Sequence, residues 1–138
     1  MVSSLRKLEL KPIGTVHSPY VNRGKAPHQG RNSDIISEVV IFPEYEEGLE
    51  GIQRNSHLFI LYWFDRAEET LLKVVPHGLT EKRGIFSTRA PPRPNPIGLT
   101  LVELVKREGN VLTVKGLEAL DGSPVLDIKP HLHGLERP

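Results

Sequence analysis

The chain contains no cysteine among its 138 residues. This absence excludes disulfide bonds, thiolate catalysis and cysteine–zinc sites. Long hydrophobic runs are also missing, since the longest, Leu58 to Phe64, is far too short to span a bilayer. The first residues, Met-Val-Ser-Ser-Leu-Arg-Lys, lack the apolar core of a signal peptide, so we expect a cytoplasmic protein.

A strong charge of one sign and a glycine-rich phosphate loop are absent too. The formal net charge is +1, so the overall field does not indicate a nucleic-acid partner, although a local basic strip remains possible. The sequence has no Gly-x-Gly and no Walker-type loop, which argues against the nucleotide sites of doubly wound sheets. Ser87 lacks the nucleophile-elbow context, so hydrolase chemistry is not expected.

Six histidines raise the question of a metal site. The spacing of His131 and His133 places both rings on one face of an extended tail. A third ligand at suitable spacing is not evident in the sequence, so we expect no metal. His57 opens an apolar run, which is typical of a histidine at the edge of a core.

Short apolar runs separated by glycine and proline favour an all-β domain. We expect strands near residues 8–16, 36–42, 57–64, 70–75, 97–107, 111–118 and 125–128, with a short helix or turn at 44–52. About seven strands without βα alternation predict a mainly β fold, a single-sheet closed or nearly closed β-barrel with short helical or loop insertions. An open sheet whose edges pair by dimerisation is the alternative. We assign residues 1–130 to the barrel domain and 131–138 to a loosely ordered C-terminal tail.

The most informative stretch is residues 84–99, GIFSTRAPPRPNPIGL. Each of its four prolines fixes its own φ, pushes the preceding residue into extended geometry and removes a ladder N–H. Residues 88–96, here termed the proline rail, therefore present Arg89, Arg93 and Asn95 on a stiff segment. Two guanidiniums and an amide are suited to gripping an anion or a planar polar ligand. The alternative is a surface turn with solvated arginines.

Two further segments could contribute to a ligand site. Phe64-Asp65-Arg66 ends the aromatic strand, where a ring and a carboxylate suit a flat cationic ligand. The alternative there is a core ring followed by a surface ion pair. Residues 121–124 form a predicted turn that, with Asp127 nearby, could present carboxylates to a ligand or simply reverse the chain.

The run at 84–99 resembles the signature of the TrmO/YaeB family. Three more segments are similar to that family in the same order: 12–20 (PIGTVHSPY), 56–64 (SHLFILYWF) and 120–130 (LDGSPVLDIKP). The resemblance implies a β-barrel homodimer that binds S-adenosyl-L-methionine near the subunit interface. It also implies methylation of N6 of threonylcarbamoyl-modified adenosine 37 in tRNA. The implied cofactor-binding residues are Pro27, His28, Gln29, Phe64, Asp65, Arg89, Leu99, Asp121, Gly122, Ser123 and Pro124.

Residue chemistry adds roles that the resemblance does not supply. Arg93 and Lys129 are candidates for the phosphates or the carboxylate of the substrate. Asp127 is the first candidate to accept the proton of the methylated amine because it is near the 121–124 turn, and Asn95 could orient that amine. Methylation of a small amine or another nucleic acid, and a non-enzymatic module that senses the cofactor or a nucleotide, are the alternative functions.

Overall fold

The computed structural model describes residues 7–21 and 34–137. The strands in these ranges are β1 Gly14–His17, β2 Ile36–Ile41, β3 His57–Trp63, β4 Lys73–Val74, β5 Arg83–Gly84, β6 Ile97–Glu108, β7 Val111–Lys115 and β8 Pro124–Pro130. Short 3-10 helices span Pro43–Leu49, Ile52–Arg54 and Ile85–Ser87. Within the described ranges, no helix has the length and apolar character needed to cross a membrane.

Six of these strands form a closed antiparallel barrel in the order β1-β2-β7-β6-β3-β8. The longest ladder joins β3 to β6, from His57 opposite Glu103 to Trp63 opposite Ile97. Strand β8 closes the barrel because it pairs with both β1 and β3. The predicted single-sheet β-barrel with short helical insertions is therefore confirmed.

The core lies inside this barrel, and strand alternation explains its composition. Successive side chains of a strand point to opposite faces. In β3, Leu58, Ile60 and Tyr62 point inward and are at most 1% exposed. Valines and leucines of the other barrel strands meet them, so most of the interior is apolar.

The two ends of the barrel are chemically different. At one end, here termed the turn end, β1 and β3 finish and β2, β6 and β8 begin, and the 121–124 turn crosses there. At the other end, here termed the helix end, the 3-10 helix Pro43–Leu49 connects β2 towards β3. Most residues that the sequence singles out belong to the turn end.

Several predicted strand boundaries are wrong, each for a physical reason. The first strand begins only at Gly14, since Leu8 is 90% exposed and contributes nothing to the core. In the 70–75 region only β4 is extended, and it pairs with β5 in a separate small sheet outside the barrel. Strand β7 stops at Lys115 because Gly116 adopts a left-handed φ of 95°.

Residues 97–107 form a strand, as predicted, whereas the C-terminal tail differs from its prediction. Residues 97–107, which also fit a helical pattern, are extended within β6, and Gly109 with φ of 60° makes the hairpin turn to β7. The tail is not loosely ordered at its start, because the His131 N–H donates to the His57 carbonyl at 3.1 Å. A turn follows, in which the N–H groups of Leu135 and Glu136 donate to the Leu132 carbonyl.

Gly98 decides how β6 packs against β3 at the turn end. It lies opposite Tyr62 and is buried. A Cβ at this position would be 2.6 Å from Cζ of Tyr62 and 2.9 Å from Cζ of Phe64. Both rings therefore occupy the space that any other residue would fill.

Replacement of this glycine tests that packing. We expect Gly98→Ala to lower the free energy of unfolding by about 1–3 kcal/mol, because two rings must move to admit the methyl group. Gly48→Ala is the control, since a Cβ there meets nothing within 4 Å, and its effect should stay within about 0.5 kcal/mol. Denaturant unfolding measures both variants. Equal stability of the two would show that the rings do not constrain position 98.

Candidate active site

The proline rail runs alongside the chain that follows β3. The Phe64 N–H donates to the Pro96 carbonyl at 2.7 Å, and the Leu71 N–H donates to the Pro92 carbonyl at 2.9 Å. Prolines have no N–H, so the rail prolines make these contacts through their carbonyls. The rail joins no sheet ladder, as predicted. The rail then leads directly into β6 at the turn end.

Arg93 contacts the backbone through one nitrogen of its guanidinium. Nη1 donates to three backbone carbonyls, which belong to Ile85 (3.1 Å), Thr88 (2.7 Å) and Ala90 (3.3 Å). This nitrogen therefore holds the bend at the start of the rail, a role that the sequence did not indicate, while Arg89 is exposed on the rail itself. Contact of Arg93 with a phosphate or a substrate carboxylate stays a prediction.

The 121–124 turn is fixed against β1 by several hydrogen bonds. The Asp121 N–H donates to the Tyr20 carbonyl at 2.7 Å, and the Gly122 N–H donates to the Val16 carbonyl at 2.8 Å. The Asp121 carboxylate accepts the Ser18 N–H at 3.0 Å. Gly122 has a φ of 85°, a left-handed conformation that glycine adopts without strain. The turn is thus a rigid part of the barrel end.

Arg66 joins this turn to the end of β3. Its Nη2 donates to the Asp121 carbonyl, and its Nε lies 3.9 Å from Oδ1 of Asp65. The sequence indicated Phe64, Asp65 and the turn as separate candidates, and the structure brings them together. Arg66 is the connecting residue, which the sequence analysis considered only as part of a possible ion pair.

A cavity of about 480 Å³ lies against the turn. Its lining includes Ser18, Ser37 and Asp121 together with charged side chains of neighbouring strands. Ser37 is 2% exposed, and its hydroxyl has no hydrogen-bond partner. A buried hydroxyl without a partner is rare in folded proteins, so this one is a candidate for contact with a polar ligand.

A chain of polar side chains enters the barrel from the same end. Tyr62, 1% exposed, has its hydroxyl 3.3 Å from Oγ1 of Thr100, and the Thr100 hydroxyl donates to Oε1 of Glu118 at 3.0 Å. The ring of Phe64 packs edge to face on that of Tyr62, with centroids 5.3 Å apart. Burial raises the pKa of Tyr62 well above its usual range, and the charge of Glu118 raises it further. The phenol therefore keeps its proton.

Sequence reasoning did not identify Thr100 or Glu118. One signal was available, since Thr100 is a polar residue at an inward position of β6. Glu118 carries no comparable signal, because its partner on β6 is eighteen residues away in sequence.

Other predicted site residues lie elsewhere. Asp127 faces the helix end, where it lines a second cavity; its Oδ2 is 3.0 Å from Nζ of Lys129 and its Oδ1 accepts the Ile128 N–H. The structure thus does not bring Asp127 to the 121–124 turn. Asn95 is exposed on the rail, and Leu99 is on the outer face of β6. Pro27, His28 and Gln29 lie outside the described residues.

Three histidines meet at the helix end, where the sequence indicated two. The ring of His57 is 6.5 Å from that of His131 and 6.2 Å from that of His133 between centroids. Despite this proximity, the residues that the structure describes contain no group of three or more ligands arranged to hold a metal ion.

Comparison with known proteins gives the family. The chain matches the family model of the tRNA-methyltransferase O N-terminal domain over residues 15–137. It belongs to this family. The crystal structure of TrmO superposes with a TM-score of 0.81 at 34% identity, covering 96% of this chain and 61% of that chain. This chain therefore spans about three fifths of the solved TrmO chain.

Two relatives of this TrmO-family chain have names that refer to a cofactor, and a third is named for a reaction. A probable S-adenosyl-L-methionine-binding protein of Methanothermobacter thermautotrophicus is 52% identical over 94% of both chains. An S-adenosyl-L-methionine-binding protein of Archaeoglobus fulgidus is 55% identical over 88% of both. A tRNA (adenine(37)-N6)-methyltransferase of Mus musculus is 44% identical over 71% of this chain and 23% of its own length.

The raised pKa of Tyr62 predicts a loss of stability in alkali. The neutral phenol stabilises the fold fully below its unfolded pKa of about 10, and this contribution is lost as the pH rises through the higher folded value. We expect the free energy of unfolding to fall more steeply above about pH 10 in the wild type than in Tyr62→Phe. Denaturant unfolding across this range measures the difference. The control Tyr45→Phe, at a more exposed ring, should keep the wild-type slope; a wild-type slope in Tyr62→Phe would contradict the prediction.

Proposed function

We propose that this protein is an S-adenosylmethionine-dependent methyltransferase that methylates N6 of threonylcarbamoyl-modified adenosine 37 in tRNA. The observation that carries the proposal is the barrel end where Arg66 joins Asp65 to the 121–124 turn and Asp121 of that turn lines a cavity. Membership of the tRNA-methyltransferase O family supports it. The names of the archaeal and mouse relatives support the cofactor and the RNA, respectively.

The residues at this end fit the methyl donor chemically. A sulfonium cation is stabilised by an aromatic face and by carboxylates, which Phe64, Asp65 and Asp121 supply. The unpartnered Ser37 hydroxyl offers a hydrogen bond to a polar group of the ligand. The cavity of about 480 Å³ is within the range of small-molecule sites. When bound, the donor supplies an electrophilic methyl group.

Further contacts follow from the family resemblance and the residue chemistry. Arg89 is exposed on the rail and would pair with the carboxylate of the donor's methionine portion. Backbone groups of Gly122, Ser123 and Pro124, with those near Leu99, would bind the adenine edge. The contacts predicted for Pro27, His28 and Gln29 and the orienting role of Asn95 stay predictions.

A local basic strip supports an RNA substrate despite the small net charge. Lys82 and Arg83 are exposed a few residues before the rail, and Arg89 is exposed within it. Phosphate contacts from such residues give most of the sequence-independent affinity for nucleic acid. Lys129 is paired with Asp127 at the helix end, so we assign it no part in this strip.

We further propose that the protein is a homodimer, because the outer face of β3 and β6 is apolar. One-sided antiparallel sheets normally carry polar residues on the solvent side. Here Phe59 lies opposite Leu101 and Leu61 opposite Leu99, all on the outer face. Leu99 and Leu101 are 37% and 43% exposed. A second copy would bury this apolar face, since the same patch on both subunits is self-complementary about a two-fold axis.

The donor site is tested with Asp65→Asn, which removes one carboxylate charge without changing the shape. We expect about tenfold weaker binding of S-adenosylmethionine in calorimetry, on the order of 1.4 kcal/mol. Nucleoside mass spectrometry of tRNA incubated with the protein should show the methylated adenosine. The control Glu44→Gln removes a charge at the helix end and should leave the affinity unchanged.

Three outcomes would contradict the proposed function. If the wild type does not bind S-adenosylmethionine, the donor site is wrongly assigned. If it binds the donor but methylates only small amines or another nucleic acid, the substrate is wrongly assigned. If it binds the donor and methylates nothing, a sensing module is the better description.

The dimer is tested with Leu101→Arg, which places a charge in the centre of the apolar outer face. We expect a dimeric wild type in sedimentation equilibrium and a monomeric variant, since burying an unpaired guanidinium opposes association. Leu8→Arg is the matched control, because Leu8 is exposed outside this face, and it should remain dimeric. A monomeric wild type, or a dimeric Leu101→Arg, would contradict the assignment.

A further inference from the structure

Glu118 is connected to the ring of Phe64 through side chains of two strands. Its Oε1 accepts the Thr100 hydroxyl at 3.0 Å, and the Thr100 oxygen is 3.3 Å from the Tyr62 hydroxyl. The Tyr62 ring packs on Phe64, the aromatic residue of the proposed donor site. Glu118 is thus connected to that site through two buried residues of β3 and β6.

The hydrogen bonds that link Tyr62, Thr100 and Glu118 all point towards Glu118. Tyr62 keeps its proton because burial and the charge of Glu118 raise its pKa, so it is the donor to Thr100. Thr100 has a single hydroxyl proton, which it donates in a hydrogen bond to Glu118. The Glu118 oxygen at the end of the chain is therefore an acceptor, oriented by a fixed donor.

The backbone around Glu118 is also fixed at the turn end. Its neighbours Leu117 and Ala119 are at most 2% exposed, and the Ser18 hydroxyl donates to the Ala119 carbonyl at 2.9 Å. The 121–124 turn follows directly. Glu118 itself is only half-buried, so its side chain extends from the core to the surface of the barrel end that carries the proposed site.

We infer that the Glu118 carboxylate accepts the proton released by the adenine amino group during methylation. This inference rests on the proposed function. A bond forms between the amino nitrogen and the methyl carbon, while the carbon–sulfur bond breaks and its electron pair stays on sulfur. As that bond forms, the nitrogen gives one proton to Glu118 and keeps the electron pair of the N–H bond.

The chemistry needs only an ordinary carboxylate. An exocyclic adenine nitrogen is a poor nucleophile, because its lone pair is delocalised into the ring, so a carboxylate that accepts its proton while the new bond forms lowers the barrier. Asp127, the acceptor expected from the sequence, lies at the helix end and is paired with Lys129. Glu118, unlike Asp127, is connected to the turn end of the barrel.

The decisive experiment compares Glu118→Gln with Glu44→Gln, a matched change of an exposed glutamate at the helix end. We expect Glu118→Gln to lower kcat for tRNA methylation about a hundredfold, the range of a lost general base. Its affinity for S-adenosylmethionine in calorimetry should stay within about threefold of wild type, since the donor contacts are other residues. Glu44→Gln should match the wild type in both. Thermal unfolding checks that each variant is folded.

A second readout does not depend on turnover. In protein labelled with carbon-13 at glutamate carboxyls, addition of an unmethylated anticodon stem-loop RNA should shift the Glu118 resonance, assigned by its loss in Glu118→Gln. The Glu44 resonance should not move. Should Glu118→Gln fail to fold, Thr100→Val tests the same chain, and we expect it to lower kcat about tenfold because the acceptor loses its orienting donor.

Each contrary result has a distinct meaning. Unchanged kcat in a folded Glu118→Gln, or an unmoved Glu118 resonance with bound RNA, overturns the inference while the proposed function stands. Loss of donor affinity in Glu118→Gln also overturns it and makes Glu118 a donor-binding residue. A wild type that binds the donor but methylates no RNA overturns the proposed function and this inference together.

Discussion

The rings of Tyr62 and Phe64 occupy the space that a side chain at position 98 would fill, and the turn end is arranged around them. Because Tyr62 lies against Gly98, its hydroxyl reaches Thr100 and, through it, Glu118. Because Phe64 packs on Tyr62, the chain after β3 runs beside the proline rail, and Arg66 reaches the 121–124 turn. Loss of this one close contact would disturb both groups of polar residues.

Polar groups inside the barrel are costly unless they are paired, and this chain pairs nearly all of those that the structure describes. The hydrogen bonds of Tyr62 and Thr100 connect their buried hydroxyls to the half-buried carboxylate of Glu118. The Ser37 hydroxyl is the exception at this end, and it lines the cavity beside Asp121. An unpaired group next to an opening differs from an unpaired group in a sealed core, since a ligand can supply the missing partner. The polar interior and the candidate site are therefore parts of one arrangement.

Local signals predicted the strands and turns well, and long-range contacts explain what they missed. The alternation in β3 and the glycines at 109 and 122 depend on neighbouring residues only, so the sequence was sufficient. The use of Arg93 was hidden, because the three carbonyls it binds converge only when residues 85–90 bend. Asp127 is three residues from the turn in sequence, yet an extended strand carries it about 10 Å away. Glu118 could not be predicted because its hydrogen bond to Thr100 joins side chains that are eighteen residues apart in sequence.

Closure of the barrel determines how two copies could associate. Each of the six barrel strands already has a hydrogen-bonded neighbour on both sides, so none of them offers an open row of N–H and C=O groups. Association cannot extend the sheet, and only side chains can carry it. In the proposed dimer, the outward residues of β3 and β6 would then determine which partner is accepted, and a single exchange among them could change the partner while leaving the backbone hydrogen bonds intact. Divergence between duplicated copies of such a barrel would therefore need very few substitutions to prevent mixed pairs.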